Sequence, residues 1–186
     1  MKLIKMEKVR DTRYLKNYEL TYLNKAGKEK VYEIVSHRDM SDPSALGKSV
    51  SGLSIVAVQD DKMLLLREFR MAVNDYVYNL CAGMIEEGET IEECIRRELY
   101  EETGLELEKI DTILPPAYAA VSISDISNRI AFVHVKGSID TQNTSDNEEI
   151  RAAFYSAEEL SQMLETGSFS SRCQIAVYMF IREHLS

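Results

Sequence analysis

Three glutamates in one short segment, Glu98, Glu101 and Glu102, have the spacing of a shared carboxylate site. If residues 90–103 are helical, the positions i, i+3 and i+4 bring the three carboxylates together on one side of the helix. Like charges at this separation repel one another and bind protons more readily, unless a cation lies between them. Hard divalent ions such as Mg²⁺ and Mn²⁺ prefer carboxylate oxygens, so the spacing predicts a metal site.

The apolar residues of the same segment decide between this site and a solvated acidic face. They repeat at helical spacing and form one stripe, consisting of Ile91, Ile95 and Leu99. Glu98 and Glu102 continue that stripe, and the residues expected on the outward side are Glu92, Arg96, Tyr100 and Thr103. A solvated face would place its charges opposite the apolar stripe, so the pattern favours a metal site over a structural acidic patch. Arg97, four residues before Glu101, is expected to hold that side chain.

The elements that position this helix follow from hydrophobic periodicity and turn residues. Thr90 is a suitable cap at its start, and Gly104 suits its left-handed end. Further helices are predicted at 157–165 and 171–184, and strands at 16–24, 28–36, 52–58, 63–69, 76–81, 106–117, 129–136 and 150–155. This pattern predicts an α/β (α+β) fold with a sheet packed between helices. We expect a separate strand subdomain over 1–48, followed by the main domain over 49–186.

Composition excludes several classes of protein. The chain has 186 residues and a formal net charge of -9, with no basic stripe of the kind that nucleic acids require. No apolar run approaches the roughly 18–20 residues that span a bilayer, so no membrane partner is expected. Three widely spaced cysteines are typical of reduced thiols in a cytoplasmic protein. An acidic protein of this kind would bind a polyanion such as a nucleotide through intervening cations.

The residues around the glutamates resemble a known family motif. Gly83, Glu89 and the run 97–105 (RELYEETGL) match the Nudix box, Gx5Ex7REUxEExGU, at all nine fixed positions. The resemblance implies the Nudix fold, a mixed sheet between helices, and hydrolysis of a nucleoside diphosphate linked to another moiety with Mg²⁺ or Mn²⁺. It also implies that Glu98, Glu101 and Glu102 supply metal ligands and are candidates for a base, with the carbonyl oxygen of Ala82 as a further ligand. Structural support of the box would come from Gly83, Glu89, Arg97 and Gly104.

Within that superfamily the chain looks most like the ADP-ribose pyrophosphatase group. The similar stretches are 67–70 (REFR) and 79–89 (NLCAGMIEEGE). The resemblance makes Arg70 a diphosphate contact, the alternative being an edge-strand arginine in a surface ion pair. It also implies a homodimer that exchanges its N-terminal strands, with Tyr14 and Tyr32 stacking on the adenine. Packing within the strands is the alternative for both tyrosines.

The chain departs from that group after the box. That group usually carries a Ser-Pro-Gly stretch followed by an acidic residue. Here the proline and glycine are missing from residues 118–128, and Asp125 is the one acidic residue there. Asp125 is therefore the candidate for the acid that positions water or metal, or else a turn residue. The later acids Asp140, Asp146, Glu148 and Glu149 are candidates if their loop folds inward.

Three functions remain to be distinguished. The leading prediction is metal-dependent hydrolysis of ADP-ribose to AMP and ribose 5-phosphate. The alternatives are a pyrophosphatase for another nucleoside diphosphate sugar and a non-catalytic sensor of nucleotide sugars. A sensor would typically have lost a box glutamate, and all of them are present here. An isomerase on the same fold lacks support from the sequence.

Overall fold

The computed structural model of the chain describes residues 1–141, 147 and 149–185. The helices are α1 (Ile91–Thr103), α2 (Ala157–Thr166) and α3 (Ser171–His184). The strands are β1 (Lys2–Asp11), β2 (Lys16–Leu23), β3 (Glu29–Ser36), β4 (Val50–Gln59), β5 (Lys62–Arg70), β6 (Asp75–Asn79), β7 (Cys81–Met84), β8 (Glu106–Ile113), β9 (Ala117–Tyr118), β10 (Ser127–Lys136) and β11 (Ile150–Tyr155). The predicted α+β class is confirmed. In the described ranges, no helix has the length and apolar character needed to cross a membrane.

The chain forms two compact units. The first comprises Met1–Ser51 with Pro116–Asn128, and the second comprises Gly52–Pro115 with Arg129–Ser186. The boundary expected at residue 48 stays a prediction.

The first unit is built on an antiparallel sheet in the order β1-β2-β3. Its small core consists of Tyr18, Leu20, Ile34 and Met40. The Tyr18 hydroxyl is satisfied there, because it accepts a hydrogen bond from the Met40 N–H at 2.6 Å. The predicted strands 16–24 and 28–36 are confirmed, whereas β1 is not among the predicted strands. Its residues alternate charged and apolar side chains without forming a buried face of their own, so only pairing with β2 makes them a strand.

The second unit places a sheet between helices, as predicted. Its strands follow the order β11-β5-β4-β10-β8, with β6 paired to β5 and β7 paired to β4. Because side chains alternate along a strand, β5 serves two cores. Leu64 and Leu66 pack with Ile95 and Leu99 of α1. On the other face, Met63 and Leu65 pack with the helices α2 and α3, through Leu160, Cys173, Ala176, Val177 and Phe180. Cys94 and Cys173 are buried in these cores.

Three expectations from the sequence are wrong in detail. The strand predicted at 106–117 ends at Ile113, and Ala117–Tyr118 form the separate strand β9, which pairs with β10. The strand predicted at 76–81 is two strands, because the chain changes partners at Leu80: Asn79 pairs with Leu66 of β5, and Cys81 pairs with Ile55 of β4. Thr103, expected on the outward side of α1, is fully buried. Its burial costs little because its hydroxyl donates to the Leu99 carbonyl oxygen of the preceding turn.

Candidate active site

Helix α1 begins and ends where its capping residues dictate. The Thr90 hydroxyl accepts from the Glu93 N–H at 3.3 Å, and the Glu93 carboxylate accepts from the Thr90 N–H at 2.8 Å. At the other end Gly104 adopts a left-handed φ of 71° and its N–H bonds the Tyr100 carbonyl oxygen. A Cβ on Gly104 would lie 2.8 Å from the backbone oxygen of Asp140. The close approach of the loop after β10 therefore also requires glycine at position 104. The two caps fix the register of the glutamates between them.

The chain before the helix passes very close to one of the glutamates. A Cβ on Gly83 would lie 1.6 Å from Oε1 of Glu98, so any side chain at position 83 would displace the Glu98 carboxylate. The neighbouring Ala82 N–H donates to Oε2 of Glu102 at 3.1 Å. Residues 82 and 83 of β7 therefore lie directly against two box carboxylates. The predicted supporting role of Gly83 agrees with this steric demand.

The Arg97 guanidinium connects groups of the loop before α1 with groups of the helix. Its Nε and Nη2 donate to the two oxygens of Glu89 at 2.8 and 2.9 Å, and Nη2 also donates to the Met84 carbonyl oxygen at 3.0 Å. Its Nη1 donates to Oε1 of Glu98 at 2.6 Å and to Oε2 of Glu101 at 3.3 Å. The expected contact between Arg97 and Glu101 is confirmed, and the guanidinium reaches Glu89 and Glu98 as well. A planar fork of five donors suits such shared pairing, which lysine could not reproduce.

The three glutamates differ in burial. Glu98 and Glu102 are only 7% and 9% exposed, whereas the Glu101 side chain is 52% exposed. The sequence prediction that Glu98 and Glu102 continue the inward stripe is confirmed. Charged carboxylates are rarely buried without a partner cation or a hydrogen-bond donor. Glu98 has the Arg97 guanidinium as its donor, whereas Glu102 accepts from the neutral Ala82 N–H and Cys81 thiol, so Glu102 is the less compensated of the two.

Burial dominates the protonation of Glu102. It raises the pKa of this carboxyl to about 8, against a hydrogen bond from Cys81 and one from the Ala82 N–H, which both lower it. The charges of Glu98 and Glu68 raise the pKa further. Without a cation, Glu102 is therefore largely protonated at neutral pH. A divalent ion that binds Glu102 would displace this proton.

Arg97 offsets burial elsewhere in the site. Burial raises the pKa of Glu98, and the hydrogen bond and charge of Arg97 lower it, with burial the larger effect. Glu89 shows the opposite balance, because hydrogen bonds from Arg97 and from the Glu86 N–H hold its pKa at about 2. Glu89 is thus a permanent anion that orients the guanidinium.

The residues fit a hard divalent ion by the chemistry of their donors. Glu98 and Glu102 offer buried carboxylate oxygens, the backbone of Ala82 contacts Glu102 through its N–H, and Gly83 leaves space that a side chain would fill. In the part of the chain that is described, no three acidic, histidine or cysteine side chains already converge as an ion-binding set. Arg97 and the Ala82 N–H hold the carboxylate oxygens instead. Ion binding would exchange these hydrogen bonds for coordination.

The structure does not bring every predicted site residue into this cluster. Arg70 ends β5 with its side chain 56% exposed and bonds Glu68 at 3.2 Å. Tyr14 is exposed beside the Arg13 guanidinium, and Tyr32 donates its hydroxyl hydrogen to the Ser122 carbonyl oxygen. Both tyrosines belong to the first unit, whereas α1 belongs to the second. Their stacking roles stay predictions.

The candidate late acids have different surroundings. Asp125, in the first unit, accepts from the Gly47 N–H at 3.3 Å, and its buried Oδ1 has no hydrogen-bond partner among the residues described. Asp140 is exposed, and its N–H bonds the Thr103 carbonyl oxygen at 2.8 Å. Glu149 accepts a hydrogen bond from the Tyr76 hydroxyl. The remaining two candidates, Asp146 and Glu148, lie outside the described residues.

One residue near the site was missed by reasoning from the sequence. Glu68 has a side chain only 12% exposed, and its charge contributes to the raised pKa of Glu102. Strand alternation could have identified it, since Leu64, Leu66 and Glu68 share the face of β5 that packs on α1. The apolar run of β5 hides this alternation, because both faces of the strand are buried up to Leu66.

Known proteins resemble the chain in both sequence and structure. The family model for the NUDIX domain matches residues 48–176. The ADP-ribose pyrophosphatase of Escherichia coli strain K12 is 27% identical over 136 residues, which are 67% of this chain and 63% of that protein. The ADP-sugar pyrophosphatase of Mus musculus is 27% identical over 131 residues, which are 70% of this chain and 60% of that protein. Less than two thirds of each relative is therefore aligned.

A solved structure is similar to this chain in its fold. A crystal structure described as that of an ADP compounds hydrolase matches with a TM-score of 0.76 and 22% identity, over 98% of this chain and 92% of that chain. This likeness confirms the expected fold. Since the domain match includes the whole box from Gly83 to Leu105, the chain belongs to the NUDIX family.

Proposed function

We propose that this protein hydrolyses the diphosphate bond of a nucleoside diphosphate linked to another moiety, with ADP-ribose as substrate and AMP and ribose 5-phosphate as products. The observation that carries the proposal is the pair of buried carboxylates, Glu98 and Glu102, held against residues 82 and 83. Burial of two acids in a core is costly and is typical of sites that bind a cation. The two aligned relatives are named as pyrophosphatases of ADP-ribose and of ADP-sugars, which supports this substrate class.

The chain's own residues would divide the work. Glu98, Glu101, Glu102 and the carbonyl oxygen of Ala82 would hold Mg²⁺ or Mn²⁺. Such an ion neutralises the diphosphate, polarises phosphorus and lowers the pKa of water. Water adds to one phosphorus, the bridging P–O bond breaks, and the bridging oxygen leaves with the other phosphate.

The remaining assignments are finer. Arg70 would bind the diphosphate, Tyr14 and Tyr32 would stack on the adenine, and Asp125 would orient the water. The Oδ1 of Asp125 supports its assignment, because it has no hydrogen-bond partner within the described residues and a carboxylate oxygen in that state can accept a proton. A homodimer and a cytoplasmic location stay predictions.

The test is AMP release from ADP-ribose with Mg²⁺, comparing wild type, Glu102→Gln and Glu92→Gln. Glu92 is on the same helix but pairs with Arg96 in solvent, so its variant is the matched control. We expect activity in wild type and the control, and a loss of about 100-fold or more in Glu102→Gln. Equal activity in all three proteins would contradict the proposed site.

The same assay separates the alternatives. Hydrolysis of other nucleoside diphosphate sugars in preference to ADP-ribose would keep the chemistry and change the substrate. Binding of these compounds without any hydrolysis would favour the sensor and would overturn the proposed reaction.

A further inference from the structure

A hydrogen-bond network of side chains extends from the end of β5 to the start of α3. Oε1 of Glu68 accepts from the Asn79 side-chain amide at 2.6 Å, and Oε2 pairs with Nη1 of Arg70 at 3.2 Å. Oδ1 of Asn79 accepts from the Ser170 hydroxyl at 2.7 Å. Hydrogen bonds thus link four side chains in the sequence Arg70, Glu68, Asn79 and Ser170.

At one end of this network, backbone hydrogen bonds hold Ser170 in place. Ser170 caps α3, where its hydroxyl oxygen accepts from the Cys173 N–H at 3.4 Å. Backbone hydrogen bonds join the same region to β6: the Tyr78 N–H bonds the Ser168 carbonyl oxygen at 2.8 Å, and the Ser170 N–H bonds the Tyr78 carbonyl oxygen at 3.0 Å. Asn79 therefore meets two fixed partners, and its amide can satisfy both because it is donor and acceptor at once.

The other end is accessible to a ligand. The Arg70 side chain is 56% exposed, whereas Glu68 is 12% exposed. An ion pair with so exposed an arginine contributes little to stability, so stability alone does not explain the buried carboxylate. The ion pair instead orients Arg70, because Glu68 restricts the rotamers of this long side chain before a ligand binds.

We propose that Glu68 is a positioning residue that orients Arg70 toward the diphosphate of the substrate. The inference rests on the proposed function, in which Arg70 binds that diphosphate. Glu68 lies on the face of β5 that packs on α1. The Arg70 guanidinium that it binds is therefore held on the same side of the sheet as the box helix. The raised pKa of Glu102, to which the charge of Glu68 contributes, is consistent with this placement.

The experiment is a double-mutant cycle on ADP-ribose hydrolysis with Mg²⁺, using Glu68→Gln, Arg70→Ala and the double variant. Gln at 68 keeps the acceptor for Asn79 and the side-chain volume, but its amide no longer pairs with the guanidinium. We expect KM to rise by about tenfold in Arg70→Ala and by about three- to tenfold in Glu68→Gln, with kcat within about twofold. In the double variant KM should match Arg70→Ala, because the two residues act as one unit.

A matched control removes a negative charge elsewhere. Asp111→Asn breaks an exposed pair with Lys109 on β8 and should leave KM unchanged. Multiplying KM effects in the double variant would overturn the inference, and so would a wild-type KM in Glu68→Gln. A fall in kcat that parallels a fall in the urea midpoint would show a merely structural role and would overturn it as well.

Calorimetric binding of ADP-ribose to the same proteins separates this inference from the proposed function. If wild type binds without hydrolysing, the proposed function fails, and the inference is then judged by whether the affinities show the same non-additive cycle. Wild type that neither binds nor hydrolyses ADP-ribose overturns both.

Discussion

The raised pKa of Glu102 makes a quantitative prediction about the metal-free protein. A carboxyl with a pKa of about 8 in the folded state and 4.5 ordinarily takes up a proton on folding at neutral pH. The stability from the protonated form is fully present below pH 4.5 and is lost as pH rises through 8. A pH unit well inside that window costs about 1.4 kcal/mol and one near either end costs less, so stability should fall by about 3.5 kcal/mol between pH 5 and pH 8.

Glu102→Gln isolates this contribution. Gln keeps an oxygen acceptor for the Ala82 N–H but does not titrate, and groups remote from residue 102 contribute to both proteins alike. In urea unfolding with EDTA at pH 5, 6, 7 and 8, the free energy of unfolding of the variant should rise relative to that of wild type by about 3.5 kcal/mol from pH 5 to pH 8. A difference that stays constant with pH would refute the reasoning, and a clear loss of stability in the variant would indicate a structural role for Glu102.

Magnesium should offset most of this difference between the two proteins at pH 8. An ion that binds only the folded state stabilises it by about 2.7 kcal/mol at 100 times its dissociation constant. Wild type should gain this stabilisation at pH 8, and Glu102→Gln should gain much less because one ligand is lost. The Glu92→Gln control should follow wild type in both buffers. Equal gains for all three would place the ion elsewhere.

Three further predictions concern neighbouring residues. Gly83→Ala should lower kcat by about tenfold or more, because the added Cβ displaces the Glu98 carboxylate; steady-state kinetics would measure the change. Glu89→Gln should be less stable than wild type at pH 7, with the difference in urea midpoint shrinking toward pH 2, because the lowered pKa of Glu89 means its contribution is present above pH 4.5 and lost as pH falls through about 2. Asp125→Asn should lower kcat by about tenfold or more without moving the urea midpoint, since Asn keeps an acceptor for the Gly47 N–H; unchanged kcat would leave Asp125 as a turn residue.

The box helix could be predicted from sequence because its signals are local. Thr90 and Gly104 mark its ends, and the apolar stripe shows which glutamates turn inward. The burial of Thr103 has no such local signal, because it depends on a distant segment: the loop at Asp140 covers the last turn and bonds the Thr103 carbonyl oxygen. Helical periodicity carries no information on a neighbour so far along the chain.

Strand pairing explains the other failures. β1 has no buried face of its own, so only its partner β2 identifies it as a strand. The break at Leu80 is a change of partner, which depends on the register of β4 and β5 rather than on residue type. Glu68 and Ser170 lie on opposite sides of the box helix in the sequence and share Asn79 as a partner. No local pattern could join them.

The guanidinium of Arg97 has a consequence for the choice of ion. Its Nη1 already donates to Glu98 and Glu101, so the protein carries an internal counter-ion against which any metal must compete. A monovalent cation brings no more charge than the arginine and lacks its directed hydrogen bonds, whereas a divalent ion brings twice the charge. Potassium would therefore bind weakly, and the apparent affinity for a divalent ion would be reduced by the free energy needed to displace Arg97 from the carboxylates.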